Sequence, residues 1–146
     1  SNNQYKKLLG TIYLKEGSLQ KAWEALLPYI DDALGAEKWD ESLELLENFK
    51  ELEPIAVKRR LVTIYKGKSD TEAAIKELKE LAGIYEDKDF PQEALQSFRE
   101  INQLSPSDEE VQLKIKELEK TLGVKVAPEV EVSPEEKTVE ELLQEI

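Results

Sequence analysis

Apolar residues recur at helical spacing along most of the chain, and no segment alternates convincingly between apolar and polar positions. The pattern therefore predicts an all-α fold of about seven helices. The clearest apolar face, at i, i+4, i+7 and i+11, consists of Val111, Ile115, Leu118 and Leu122. The predicted helices span residues 3–16, 18–34, 37–52, 55–66, 70–86, 91–104 and 108–122.

Glycines and serines mark the predicted helix ends. Four glycines each follow an amphipathic run, where a left-handed residue often ends a helix: Gly17, Gly35, Gly67 and Gly123. Three pairs have the Ser-x-x-Glu spacing of a capping box: Ser69 with Glu72, Ser107 with Glu110, and Ser133 with Glu136. These signals predict short connections between consecutive helices.

The sequence repeats itself, without a gap, at an offset of 52 positions. Residues 5–54 laid on residues 57–106 give 11 identities in 50 positions, where average composition would give about three. The identical residues, each with its counterpart 52 positions later, are Lys6, Leu9, Thr11, Ile12, Tyr13, Ala22, Leu26, Glu41, Leu43, Leu52 and Pro54. A fixed period of this length indicates a stacked, solenoid-like array, and such arrays mostly bind other proteins. Each unit contains three predicted helices, and the helix over 108–122 is expected to cap them.

The amino-acid composition argues against several classes of function. The chain has neither Cys nor His, which argues against the usual zinc and redox sites and against Cys/His catalysis, so we expect no metal, no cofactor and no enzyme activity. The net charge of −12 opposes binding to nucleic acid. No apolar run approaches the roughly 18 residues that cross a bilayer, so we expect no membrane insertion. The lack of cysteine fits a reducing compartment, and a cytoplasmic location is expected.

The acidic total hides two basic segments. Residues 54–68 carry five Lys or Arg and no acid, and residues 1–16 carry three Lys against one Glu. Both segments occupy the same position in the repeat. The separation of charge is therefore periodic.

Small and aromatic residues on consecutive helices resemble the tetratricopeptide repeat. The strongest match comprises Leu81, Ala82, Tyr85, Ala94, Phe98 and Pro106, and a second comprises Leu9, Gly10, Tyr13, Gly17 and Ala22. The chain departs from that family because its second and fifth helices each serve two hairpins. The resemblance implies an antiparallel helix-hairpin superhelix over residues 1–123 that acts as a non-catalytic scaffold for protein–protein interaction.

The same resemblance implies where a partner binds. In that family the first helix of a hairpin lines the concave groove. The corresponding residues here are Lys7, Thr11 and Lys15 on the first helix, and Arg59, Arg60, Thr63 and Lys66 on the fourth. Facing Lys and Arg side chains would attract an acidic peptide or helix. The alternative is that these charges neutralise the acidic helices beside them.

The C-terminal segment 124–146 is predicted to be an acidic tail that ends in an amphipathic helix over 134–146. Its apolar stripe, at i, i+3, i+4 and i+7, consists of Val139, Leu142, Leu143 and Ile146. The helix could dock on this molecule or on a neighbour, or it could belong to a following domain. The whole chain is expected to be a segment of a larger bacterial protein. An architectural oligomerisation module, in which this helix packs on another copy, is the second interpretation.

Overall fold

A computed structural model describes residues 2–123, and the predicted tail over 124–146 lies outside the described residues. Within residues 2–123 the chain forms seven α-helices and no strand, so the all-α prediction is confirmed. The helices are α1 (Asn2–Lys15), α2 (Leu19–Gly35), α3 (Trp39–Glu47), α4 (Pro54–Gly67), α5 (Thr71–Asp87), α6 (Pro91–Leu104) and α7 (Glu109–Leu122).

The local geometry repeats at the same offset as the sequence. When α1 and α2 are shifted along the chain by this offset, their bounds coincide with those of α4 and α5, and the start of α3 coincides with that of α6. The turn bonds repeat as well. The amide of Ser18 donates to the carbonyl of Tyr13 at 2.9 Å, and that of Asp70 donates to the carbonyl of Tyr65 at 2.8 Å. The period therefore describes helix lengths and turn geometry, not only residue identities.

The left-handed residues that end the helices are only partly those predicted. Two of the four predicted glycines have positive φ: Gly17 at 80° and Gly123 at 67°. The prediction is wrong for Gly35 and Gly67, which are the last residues of their helices. There the left-handed residues lie two positions later, at Glu37 and Ser69. Each of these two closes a turn whose next amide reaches back five residues, the hydrogen-bond pattern of a Schellman motif.

Gly67 has a steric reason to be glycine. A Cβ atom on this residue would lie 2.4 Å from the Cζ2 atom of Trp39, inside van der Waals contact. The Trp39 indole on α3 therefore packs directly against the end of α4.

Two helices are capped by aspartate rather than by the predicted serine. The Oδ1 atom of Asp70 accepts the Ala73 amide at 3.2 Å, and the Oδ1 atom of Asp108 accepts the Val111 amide at 3.2 Å. Ser69 cannot cap α5 because it holds the left-handed position with φ 60°. Each cap thus lies one residue after the predicted one.

Helix α3 ends at Glu47, five residues before the predicted end. The side-chain amide of Asn48 donates to the carbonyl of Leu45 at 3.2 Å, which competes with continued helix. The next amide, of Phe49, bonds to the carbonyl of Leu46 at 2.9 Å, a tighter i−3 bond. The resulting turn places the Phe49 ring in the core, fully buried.

The chain divides into two compact units, Ser1–Ile84 and Tyr85–Ile146, and the boundary falls within α5. In the first unit α1 packs on α2, α2 on α3, and α3 on α4, whereas in the second unit α6 packs on α7. The core of the first unit consists of Ala22, Trp23, Leu26, Ile30, Leu46, Phe49, Val57 and Ile64. Buried residues of the second unit include Tyr85, Ala94, Leu95, Phe98, Ile101 and Val111.

The crossing of α1 and α2 depends on Gly10. This residue is buried, and a Cβ atom there would lie 2.3 Å from Cγ of the fully buried Leu26. Gly83 on α5 has the same helical context, but a Cβ atom there would meet nothing within 4 Å. The two glycines therefore form a matched pair.

We expect Gly10→Ala to lower the free energy of unfolding by about 1–2 kcal/mol, because the steric cost exceeds the ~1 kcal/mol that alanine gains in a helix. Gly83→Ala is expected to raise it by up to about 1 kcal/mol. Urea unfolding followed by circular dichroism measures both. A Gly10→Ala variant as stable as Gly83→Ala would show that the crossing accommodates a methyl group.

Candidate functional site

Three helices meet at the predicted residue Lys7. Its Nζ atom lies 3.7 Å from Oε2 of Glu41 on α3 and 4.9 Å from the ring centre of Tyr29 on α2. The Tyr29 hydroxyl donates a hydrogen bond to Oε1 of Glu41. This hydrogen bond, supported by the Lys7 charge, lowers the pKa of Glu41 below its usual value. The Tyr29 and Glu41 oxygens in turn raise the pKa of Lys7.

Arg60 on α4 is held by α2. Its Nε and Nη2 atoms donate to the two carboxylate oxygens of Asp31 at 2.8 Å and 3.1 Å, a bidentate ion pair. The guanidinium also lies 5.7 Å from the Trp23 ring, within cation–π distance. The predicted site residue Arg60 therefore links two helices of the first unit.

Two further basic residues of α4 and its end pair with acids of neighbouring helices. The Nζ atom of Lys58 lies 3.2 Å from Oε1 of Glu77 and 3.3 Å from Oε1 of Glu80. Burial lowers the pKa of Lys58, but the two carboxylates outweigh it and the net shift is upward. The Nζ atom of Lys68 lies 3.2 Å from Oδ1 of Asp40. Lys58 and Lys68 therefore pair with acidic residues of neighbouring helices, as Lys7 and Arg60 do.

The remaining predicted residues lie at or near the surface. Lys15 is exposed at the end of α1, and Thr11 is half-buried. On α4 three predicted residues are exposed and share one face at i, i+4 and i+7; we name them the α4 patch: Arg59, Thr63 and Lys66. The threonine hydroxyls donate within their own helices, Thr11 to Lys7 at 2.8 Å and Thr63 to Arg59 at 3.3 Å. The ion pairs described above join α1 to α3 and α4 to α2.

Helix α1 also exposes apolar side chains, which the distribution of charge along the sequence does not reveal. We name the three the α1 stripe: Tyr5, Leu8 and Ile12, which are 64%, 62% and 44% exposed. They lie at i, i+3 and i+7 and so share one helix face. The sequence shows that they share a helix face, but their exposure depends on which helices pack against α1.

The first unit also contains a cleft of about 400 Å³. Its apolar lining includes Leu43, Leu46, Pro54, Val57 and Leu61, and its charged lining consists of Lys50, Lys58, Lys76, Glu47 and Glu77. Lys50 pairs with Glu47, and Lys58 pairs with Glu77. Two of the three lysines that line the cleft are therefore paired with its two glutamates.

Comparison of the chain with protein-family models, with curated proteins and with solved structures finds no match. Across residues 2–123, no helix is both long and apolar enough to span a bilayer. The same residues contain no group of three or more Asp, Glu, His or Cys side chains that could hold a metal ion.

Proposed function

We propose that the chain is a non-catalytic scaffold with tetratricopeptide-like, solenoid architecture, which binds an acidic peptide or helix along the α4 patch. The observation that carries this proposal is the exposed row of Arg59, Thr63 and Lys66 on one face of a helix. Lys15 of α1 provides a further exposed cation in the equivalent basic segment. A row of this kind suits an extended ligand whose carboxylates follow the helix axis.

Two features of the first unit support the solenoid part of the proposal. Ion pairs bridge alternate helices, Lys7 of α1 to Glu41 of α3 and Arg60 of α4 to Asp31 of α2. Bridges between alternate helices are expected where antiparallel hairpins stack in two layers. The turns that close the helices also recur at the repeat offset. Both features agree with one unit stacked on the next.

The charges of the α4 patch predict modest, salt-sensitive binding. Exposed ion pairs contribute about 0.2–1 kcal/mol each, so two or three contribute about 0.4–3 kcal/mol in total. Binding is therefore expected to weaken as salt rises. Tighter binding would require apolar contacts in addition.

The test uses a fluorescein-labelled helical peptide in which Glu and Leu occupy opposite faces. Thr63→Glu combined with Lys66→Glu is expected to weaken its binding about tenfold at low salt, as measured by fluorescence anisotropy. The control is the double variant Leu113→Glu/Lys116→Glu on α7. Its two substitutions have the same spacing and likewise place two carboxylates at exposed positions. An equal loss in both variants, or no binding by the unmodified chain, would rule out the α4 patch as the site.

A further inference from the structure

The α1 stripe is an apolar surface that no described part of the chain covers. Its three side chains are each more than two-fifths exposed, although they are large and share one helix face. Single exposed apolar residues are common, but a row of three along a helix indicates a contact surface.

The equivalent residues of the second repeat, on α4, show what kind of surface covers such a stripe. The counterparts of Tyr5 and Ile12 on α4 are Val57 and Ile64, which are only 2% and 0% exposed. These two belong to the same core as Leu26, Ile30 and Leu46 of the preceding helices and Phe49 of the connection after α3. Two of the three positions of this face are thus buried by aliphatic and aromatic side chains when other helices precede it. The third, the counterpart of Leu8, is Arg60, which pairs with Asp31. On α1 this face is open, and a helix from outside the array can fill it.

We propose that the α1 stripe binds the C-terminal segment 134–146 of a second copy of this chain. The segment carries an apolar row at helical spacing whose length matches the stripe: Val139, Leu142, Leu143 and Ile146. A helix as short as this segment is marginal alone in water, so a docking surface supplies the apolar contacts that it lacks. A single amphipathic helix laid along an apolar helix face is a common recognition mode.

The charges around the two surfaces are complementary. Helix α1 has no acidic residue and carries Lys6, Lys7 and Lys15. The last of these follows Ile12 by three residues and so continues the stripe. Residues 124–146 contain seven Glu and two Lys. The acidic flanks of the segment therefore meet a basic helix, and the apolar rows meet each other.

This inference goes beyond the proposed function. It concerns a different helix face, shares only Lys7 and Lys15 with the predicted basic surface, and does not involve the α4 patch. Since a segment of one copy contacts the first helix of another, the association is heterologous and its extent depends on protein concentration.

The experiment exploits the lack of cysteine in the full chain. Gln144→Cys provides a single attachment point for a nitroxide on copies of natural isotopic abundance. These copies are mixed with ¹⁵N-enriched copies that carry no nitroxide, and amide signal intensities are recorded. The amides of residues 5–12 are expected to lose most of their intensity. Reduction of the nitroxide should restore the lost signals.

Three variants of the ¹⁵N-enriched copy make the result specific. Leu8→Glu places a carboxylate in the α1 stripe and is expected to abolish the broadening. Leu113→Glu makes the same change at a similarly exposed leucine of α7 and should leave the broadening unchanged. The Thr63→Glu/Lys66→Glu variant is expected to keep the broadening. That result would distinguish this contact from partner binding at the α4 patch. Unbroadened α1 signals in the mixture, or equal effects of the two leucine variants, would overturn the proposal.

Discussion

Replacing Phe49 by alanine is expected to lower the free energy of unfolding by about 3–5 kcal/mol, the usual range for a fully buried aromatic side chain. Its ring is fully buried and lies 5.2 Å from the Trp23 ring, with 59° between the two planes. Both tryptophans of the chain lie in the first unit. Urea unfolding followed by tryptophan fluorescence therefore reports on the unit that contains the cavity.

Leu52→Ala is the control for Phe49. Leu52 lies three residues further along the same connection, but it is 37% exposed. Its truncation leaves little cavity and is expected to cost less than about 1 kcal/mol. Similar losses for the two variants would mean that the connection after α3 is not anchored by the Phe49 ring.

Arg99→Ala is expected to destabilise the second unit by about 2–4 kcal/mol, because it leaves a buried carboxylate without its counter-charge. The Nη2 atom of Arg99 lies 2.7 Å from Oε2 of Glu119, whose side chain is only 3% exposed. The second carboxylate oxygen of Glu119 has no hydrogen-bond partner within the described residues. Urea unfolding followed by far-ultraviolet circular dichroism measures the loss.

A second ion pair of the same unit provides the control. Lys114 is as exposed as Arg99, 41% against 42%, but its partner Glu86 is 34% exposed. Lys114→Ala should therefore cost less than about 1 kcal/mol. The double variant Arg99→Ala/Glu119→Leu should recover most of the stability, since it removes the unpaired charge. A double variant no more stable than Arg99→Ala would indicate that Arg99 acts through packing instead.

The existence and order of the helices could be predicted from the sequence because they depend on local periodicity. Apolar spacing located all seven described helices, and the predicted lengths of the second and fifth helices were equal, as they are in α2 and α5. Helix ends were less accurate. Ser69 fits a capping box by spacing, yet it holds a left-handed turn position and Asp70 caps the helix.

The early end of α3 was not predictable from the same pattern. Apolar residues continue at helical spacing beyond Glu47, so periodicity alone extends the helix to residue 52. The break depends on a local hydrogen bond of Asn48 and on the burial of Phe49 beside Trp23, which belongs to the preceding helix. Long-range packing of this kind overrides a local pattern.

The candidate site was predictable only in part. Composition located the basic segments, but it could not tell which cations already have acidic neighbours. Asp31 and Arg60 lie on different helices, far apart in the sequence, and only the folded chain brings them together. The α4 patch and the α1 stripe are defined by exposed side chains, and exposure too is known only from the folded chain.

The recurrence of helix lengths and turn geometry at the repeat offset makes the unit an interchangeable building block. Residues that differ between the two copies of the repeat still produce the same helix starts and the same turns. A further copy placed ahead of α1 would find its docking face already present, because Tyr5 and Ile12 occupy the positions that Val57 and Ile64 fill in the core. Under the proposed stacking, a further unit would therefore join at α1, and any molecule bound to the α1 stripe would block that addition.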